Sequence, residues 1–340
     1  MRVAVAMSGG TDSTAAALLL KKEGHDVTGL HMRLHSQSEA TWIAAQRAAH
    51  EIGIPIHLVD LSGEFSELVV SPFLASYSQG ITPSPCPICN RFIKLGFLLD
   101  HALALGSEKI ATGHYARVAG TRGEPVLLVG KDRGKDQSYF LFMLTRDMLN
   151  EVLFPLGDLT KNQVREFLKS AGVSVWESGE SQDLCFIPNG DYRGFLSSHG
   201  IEPCSGNIVD LQGNILGQHK GITGHTVGQR RGLGICGPRP HFVIRIDSGT
   251  QTIVVGTKDE TFVPRVRLGA MNLLMSSGLS VGERFHVKVR STAKAVPATV
   301  VNFFTDNAEL EFDEPQSGIA AGQAAVFYSG DRVIGGGWIK

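Results

Sequence analysis

The chain has 340 residues, 42% of them apolar and 19% charged, with a formal net charge of −1; this is the make-up of a globular protein of two or three domains, each with an ample core. No run of 18 apolar residues occurs and the first residues pass straight into a strand pattern, so neither membrane insertion nor secretion is expected, and a cytoplasmic location is. Five cysteines, an odd number, point to metal or redox work rather than to a disulfide scaffold.

The apolar run Arg2–Ala6 predicts a buried strand. Ala6-Met7-Ser8-Gly9-Gly10-Thr11-Asp12-Ser13 then predicts a tight glycine turn feeding a helix over Ser13–Glu23, ended by Gly24. Strand, turn and helix N-terminus together present backbone N–H groups and the positive helix end to an anion. Gly9 and Gly10 let the backbone curl under a phosphate with no Cβ in the way. Ser8, Thr11 and Ser13 add hydroxyls, and Asp12 suits either a magnesium ion or a helix cap. No Gly-Lys-Ser/Thr follows the glycines, so this is not a Walker A loop. It resembles the pyrophosphate loop of the ATP pyrophosphatases, which cut ATP between the α and β phosphates and adenylate a substrate oxygen. That resemblance implies ATP and Mg²⁺.

Val27–Met32 predicts the next strand, and Glu39–Ile52 a helix with Ser36 and Glu39 as its capping box and Gly53 as its stop. Ile56–Asp60 reads as another strand. The three prolines of Thr82-Pro83-Ser84-Pro85-Cys86-Pro87-Ile88-Cys89-Asn90 predict a non-helical loop. A helix over Arg91–Ala104 should begin just after Cys89, and its positive end should lower that thiol's pKa. Lys109–Thr112 predicts a strand entering Gly113-His114-Tyr115, and Thr160 with Gln163 caps a helix running to Ala171. Strands alternating with helices make a parallel, doubly wound α/β sheet, with ligands at the carboxyl ends of its strands. The 8–13 loop, Met32 and the Gly113-His114 turn should meet there. Cys185 follows in Ser181-Gln182-Asp183-Leu184-Cys185-Phe186-Ile187, whereas Cys204 and Cys236 read as small buried hydrophobes.

After residue 200 the texture changes to Gly, Pro and short alternating runs: Ile208–Asp210, Phe242–Asp247, Thr252–Val255, Arg284–Arg290, Ala298–Phe304, Glu309–Phe312, Ala324–Tyr328 and Val333–Ile339. These predict small β-barrels or sandwiches. With a break at Phe262-Val263-Pro264, the expected domains are a nucleotide-binding catalytic domain over 1–199, a central β-rich domain over 200–262 and a C-terminal β-barrel over 263–340. Residues 200–300 carry 12 Lys and Arg against 6 Asp and Glu, between acidic flanks. A basic middle is compatible with a polyanion, gripped by the β domains while the first domain does chemistry.

Collinear motifs sharpen this. The Ser-Gly-Gly-x-Asp-Ser loop, the Thr-Pro-x-Pro-x-x-x-Cys-Asn segment, Thr112-Gly113-His114-Tyr115-Ala116-Arg117 and Lys131-Asp132-x-x-Lys135-Asp136-Gln137-Ser138-Tyr139 stand in one order. Phe154-Pro155-Leu156-Gly157, Asp183-Leu184-Cys185-Phe186-Ile187, Thr226-Val227-Gly228-Gln229-Arg230-Arg231-Gly232-Leu233-Gly234 and Gly322-Gln323-Ala324-Ala325-Val326-Phe327-Tyr328 continue it. Together they cover nearly the whole chain, which resembles the tRNA-uridine 2-sulfurtransferases, the 2-thiouridylases of the wobble uridine. The resemblance implies ATP-dependent adenylation of uridine O2, then attack of sulfur at C2 with loss of AMP. It implies that Cys185 carries sulfur as a persulfide and that Cys89 releases it, leaving a Cys89–Cys185 disulfide. It assigns Ala6, Met7, Ser8, Gly9, Gly10, Thr11, Asp12, Ser13, Met32 and Gly113 to the nucleotide, with Asp12 also catalytic. His114 and Gln323 are placed near the target base, and Lys135, Asp136, Gln137, Arg290 and Ser291 against tRNA. The partners implied are tRNA and a sulfur donor protein or sulfide.

Two departures from the family pattern matter. Many relatives carry an acidic residue where this chain has Cys86. Cys86, Cys89 and Cys185 could therefore ligate a [4Fe–4S] cluster whose open iron delivers sulfide, an alternative to the persulfide route. Arg33–Ser38 is also shorter than the family's acidic insertion, which bears on how a sulfur donor docks. A rival reading is a different ATP-pyrophosphatase ligase, which would need no cysteine pair.

Overall fold

The computed structural model describes residues 1–35, 39–177, 184–235 and 239–340. The expected Ser36 cap, Ser181–Asp183 and Cys236 lie outside the described residues.

The first layer is built on β1 (Arg2–Ala6), whose Val3, Ala4 and Val5 are almost wholly buried. It is flanked by β2 (Asp26–Arg33), β3 (Ile56–Asp60) and β4 (Lys109–Ala111). A hairpin of β5 (Ala116–Thr121) and β6 (Glu124–Val129) leaves this sheet before β7 (Val152–Leu153) returns to it. The order is β3-β2-β1-β4-β7, every pair parallel. The chain winds outward in both directions from β1, so the crevice between the carboxyl ends of β1 and β4 is the topological switch point. The Thr11–Lys22 helix lays Ala15, Ala16 and Ala17 on the sheet at 0% exposure, a close approach that only small side chains permit. Gly24 and Gly53 end their helices at φ of +84° and +66°, the left-handed geometry expected of a C-terminal glycine.

One expectation fails instructively. The proline-rich cysteine segment is helical: a short α-turn over Pro85–Ile88 runs into a π-helix over Cys89–Phe97 and on into Leu98–Ala104. Pro85 opens the first turn, where a helix has no use for the N–H that proline lacks. Prolines clustered at a helix start promote it rather than block it.

The β region holds β8 (Gly206–Val209), β9 (Ile215–His219), β10 (Phe242–Asp247) and β11 (Thr252–Gly256) in a sheet of order β10-β11-β8-β9. The barrel follows with β12 (Val263–Leu273), β13 (Arg284–Lys288), β14 (Val296–Phe304), β15 (Asn307–Gln316), β16 (Ala324–Ser329) and β17 (Arg332–Ile339). Their order, β12-β15-β14-β13-β16-β17, is closed by pairing of β12 with β17. Phe262-Val263-Pro264 is thus the entry of a long strand. Pro264 is accommodated at its second residue, where the pairing register shifts between Val263 and Arg265.

The parts are not independent. The β5–β6 hairpin of the first domain joins the edge of β17 through Leu128 and Arg332. A single hydrophobic cluster contains Tyr139, Phe142 and Leu144 together with Leu274, Ala324, Val326, Tyr328 and Val333. Asn272 Nδ2 donates to the carbonyls of Phe142 (2.6 Å) and Leu144 (2.9 Å). The basic surplus of residues 200–300 is also partly spent within the barrel: Arg265 pairs with Glu311 (3.3 Å), Arg267 with Glu309 (3.7 Å) and Arg284 with Asp313 (2.5 Å). Charge segregated along the chain is brought back together across strands.

Candidate active site

The glycine loop connects β1 to its helix. Gly9 has φ +81°, and a Cβ there would lie 2.6 Å from the backbone of Ala44 and Ala45, so the position is closed to any side chain. Ser13 Oγ accepts from Ser8 N (3.2 Å) and donates to Gly10 O (3.1 Å), while Thr14 Oγ1 donates to the same carbonyl (3.0 Å). Thr11 Oγ1 donates to Val175 O (3.1 Å). The loop is braced by its own hydroxyls. Gly10 holds the cap position with no capping side chain, which leaves the positive helix end to a ligand.

Asp12 does not cap the helix. It sits one residue inside it, and its carboxylate turns sideways to accept from Lys161 Nζ at 2.7 and 2.8 Å and from the Tyr115 hydroxyl at 2.9 Å. Lys161 is 8% exposed and opens the Lys161–Ser170 helix behind the Thr160–Gln163 capping box. Neither Lys161 nor Tyr115 was singled out from the sequence. The Thr160–Gln163 pattern fixes a helix start, and only the fold reveals that the residue after the cap faces the glycine loop.

Gly113 closes the crevice from β4: a Cβ on it would stand 2.8 Å from Asp12 C and 2.9 Å from Ser13 N. Met32, the last residue but one of β2, lies near the same edge of the sheet, half-buried. Gly113 and the loop thus meet as expected, and Met32 stands on the strand beside β1. Beside Gly113, His114 is buried, with Nδ1 2.7 Å from Thr112 Oγ1 and its ring edge-on to Phe154 at 5.9 Å. Burial, reinforced by the Lys94 ammonium, holds its pKa well below the usual imidazole value, so the ring is neutral at physiological pH.

Cys89 is buried, Cys86 half-buried and Cys185 exposed. Burial pushes the Cys89 thiol up to about 12 and raises that of Cys86, opposite to the lowering expected from a helix N-terminus. The reason is position, since helical turns precede Cys89. Lys94 favours the thiolate of both cysteines, and Cys185 opposes it. Cys86, Cys89, Cys185, Lys94 and His114 therefore share one electrostatic neighbourhood. Lys94 escaped notice because it lies five residues after Cys89, a spacing that shares a face only on a π-helix. Cys185 is anchored by its neighbour Phe186, whose ring packs edge-on against Phe73 (5.1 Å), Phe195 (5.4 Å) and Phe65 (5.5 Å).

Among the described residues no three His, Cys, Asp or Glu side chains gather at ligating distance. The three cysteines as arranged do not form an iron–sulfur ligand set. Asp12 is the one carboxylate of the glycine loop, a hard oxygen donor of the kind magnesium takes.

The residues expected against tRNA divide. Gln323 Nε2 donates to Thr82 O (2.9 Å), tying the barrel to the start of the cysteine segment. Asp136 is turned inward onto Gly130 N (2.9 Å) and Ser138 Oγ (2.9 Å), and Gln137 Oε1 accepts from Tyr115 N (3.0 Å). Lys135 precedes them in the same turn. Arg290 Nη2 donates to Val227 O (2.8 Å), its Nε is buried without a partner, and burial lowers its pKa. Ser291 follows it, half-buried.

The chain matches, in succession, the families described as tRNA methyl transferase HUP domain over residues 1–189, tRNA methyl transferase PRC-barrel domain over 193–257 and Aminomethyltransferase beta-barrel domain over 267–339. It is 45% identical to the tRNA-specific 2-thiouridylase MnmA of Syntrophotalea carbinolica, covering 99% of this chain and 98% of that protein. It is 42% identical to the protein of the same name from Geobacter metallireducens, covering 99% and 96%. It is also 42% identical to that of Magnetococcus marinus, covering 99% and 98%.

Proposed function

The chain belongs to the tRNA-specific 2-thiouridylase family, and from that premise we propose that it adenylates O2 of a wobble uridine with ATP and then replaces that oxygen with sulfur from a cysteine persulfide. It is a tRNA sulfurtransferase of the α/β pyrophosphate-loop class with two appended β domains. The observation that carries the chemistry is one turn of chain. Gly113 lies against Asp12 and Ser13 of the glycine loop, and the next residue, His114, shares the field of Lys94 with Cys86 and Cys89. In this reading nucleotide and sulfur meet across that two-residue step.

In this reading ATP lies with its phosphates on Ala6–Ser13. Asp12 would hold a magnesium ion, which would supply charge neutralisation. O2 attacks the α-phosphorus, the bond to the β-phosphate breaks, pyrophosphate leaves and the N3 proton is lost to water. Neutral His114 offers a hydrogen-bonding nitrogen without adding charge beside the flipped base. Exposed Cys185 is open to a sulfur donor and carries the outer sulfur. That sulfur attacks C2 and AMP departs. The Cys89 thiolate then attacks the inner sulfur of Cys185, the S–S bond to the product breaks, and a Cys89–Cys185 disulfide remains for a reductant. Gln323, Lys135, Arg290 and Ser291 are assigned to tRNA, with Asp136 and Gln137 supporting that surface from within. The catalytic domain is taken as 1–199, with β domains 200–262 and 263–340, acting in the cytoplasm; no helix among the described residues is long and apolar enough to cross a membrane.

The test supplies unmodified tRNA, ATP and a persulfide donor, and measures pyrophosphate release and 2-thiouridine by nucleoside mass spectrometry. Cys185→Ala and Cys89→Ala should form no 2-thiouridine while still releasing pyrophosphate. Cys86→Ser, prepared free of iron, should still thiolate. Thiolation by either alanine variant would sink the persulfide scheme, and strict dependence on Cys86 together with bound iron would favour sulfide delivery from a cluster.

A further inference from the structure

We propose that Cys86 is the resolving thiol of the sulfur-transfer cycle: it attacks the Cys89 sulfur of the Cys89–Cys185 disulfide, takes Cys89 into a disulfide on its own helical turn and frees Cys185 for the next sulfur. This rests on the persulfide reading above and deepens it.

Cys86 and Cys89 belong to one α-turn: Pro85–Ile88 is helical, and Cys89 continues it with φ −59° and ψ −43°. Residues three apart on a helix share a face, with Cα atoms about 5 Å from each other, inside the roughly 4.4–6.8 Å that a disulfide spans. The turn is a firm platform. Pro85 and Pro87 are buried, and directly after Cys89 the Asn90 side-chain amide donates to Phe140 O (3.0 Å) while Arg91 reaches Met143 O. Cys185 comes from a separate segment, anchored through Phe186 against Phe65, Phe73 and Phe195.

Exposure decides which sulfur each nucleophile can reach. Buried Cys89 is closed to a thiol from solvent, and Cys86, half-buried and one turn away, is the cysteine beside it. A nucleophile held in place reacts as if present far above any solution concentration, and Lys94 favours its thiolate. Attack on Cys89 expels exposed Cys185, so the charge passes from the interior to a sulfur that water can hydrate. In this step the Cys86–Cys89 bond forms, the Cys89–Cys185 bond breaks and the electron pair leaves on Cys185. Cys86 has given its proton to water and Cys185 takes one back, with no net oxidation. A dithiol reductant then attacks the Cys86 sulfur, and Cys89 leaves as a thiolate in the field of Lys94. The reductant's second thiol releases Cys86 by closing the reductant's own disulfide. Sulfur is thus loaded at Cys185 and reducing equivalents enter at Cys86, so neither blocks the other.

The experiment loads the full-length protein with persulfide, removes the donor and supplies unmodified tRNA and ATP without a reductant. After this single round the free thiols are alkylated with iodoacetamide and the unreduced peptides are mapped by mass spectrometry. Wild type should show Cys86 joined to Cys89 and Cys185 alkylated. Cys86→Ser should release pyrophosphate and complete the round, but keep Cys89 joined to Cys185; a merely structural role for Cys86 would lower the first round as well. With excess donor and limiting dithiothreitol, Cys86→Ser should then cycle roughly tenfold or more slowly than wild type. The wild-type map needs no variant, so it decides the matter even if Cys86→Ser fails to fold. A wild-type map with Cys89 still joined to Cys185 and Cys86 alkylated, or Cys86→Ser cycling at the wild-type rate, would overturn the proposal. Wild-type protein that made no 2-thiouridine in the first round would overturn the persulfide reading itself.

Discussion

In the scheme proposed above, Cys89 must become a thiolate in a setting that resists it. The residue is 6% exposed within the main hydrophobic cluster, and burial outweighs the help of Lys94. A group whose folded pKa is raised stays protonated until the pH climbs toward that value, so Cys89 should be nearly inert to iodoacetamide at pH 8 while exposed Cys185 reacts. Peptide mass spectrometry of partially alkylated protein checks this: Cys185 should be modified first, and Cys89 should follow only as the pH is raised toward about 12. Lys94→Met should slow Cys89 further and leave Cys185 unchanged. Cys89 reacting ahead of Cys185 at pH 8 would contradict this account. In the proposed scheme a buried thiol has a use, since it is kept from stray oxidants until the adenylated base and a loaded Cys185 are beside it.

At the scale of elements, the patterns that the sequence read correctly are those set by local chemistry. Arg2–Ala6 and Glu39–Ile52 have the bounds expected, because an apolar run and a glycine stop act within a few residues. The Thr160 capping box is present in both directions. Thr160→Ala should cost about 1 kcal/mol of stability, measured by urea denaturation, since it removes the acceptor for the first-turn N–H groups. Elements whose form depends on distant partners were not legible. The β5–β6 hairpin lies within the catalytic segment yet finds its sheet on β17. The π-helix at Cys89 shows no sequence mark beyond Gly96, where a Cβ would stand 3.0 Å from Arg91 O. The candidate site divides in the same way: the place of the glycine loop and of Gly113 at the carboxyl ends of parallel strands was readable from the strand–helix alternation, whereas Lys161, Tyr115 and Lys94 come near only through tertiary packing.

Taken whole, the molecule is less divisible than its change of texture at residue 200 implies. Tyr139 donates its hydroxyl to Ala324 O (2.9 Å), Arg117 and Arg133 both reach Asp331 (3.1 and 2.6 Å), and the main core draws on the catalytic domain and the barrel alike. Removing residues 264–340 would therefore uncover Tyr139 and Phe142, not merely delete a tRNA grip. Scanning calorimetry should show the catalytic domain and barrel melting in one transition, and the truncated chain should aggregate; a truncated chain that kept ATP affinity and a sharp melt would show the parts to be separable after all.

That shared architecture has a consequence in time. On the ribosome, β5 and β6 emerge some 200 residues before the strand they will pair with, β17 at Arg332–Ile339. At about 5–20 residues per second the hairpin waits roughly 10–40 s with one edge unsatisfied. Its exposed lip carries Gly120, Arg122 and Glu124, residues that discourage a stray strand from adding there. Residues synthesised some 200 positions later are thus the ones that let the first domain finish folding, and a nascent chain stalled short of β17 should be a ready client for chaperones.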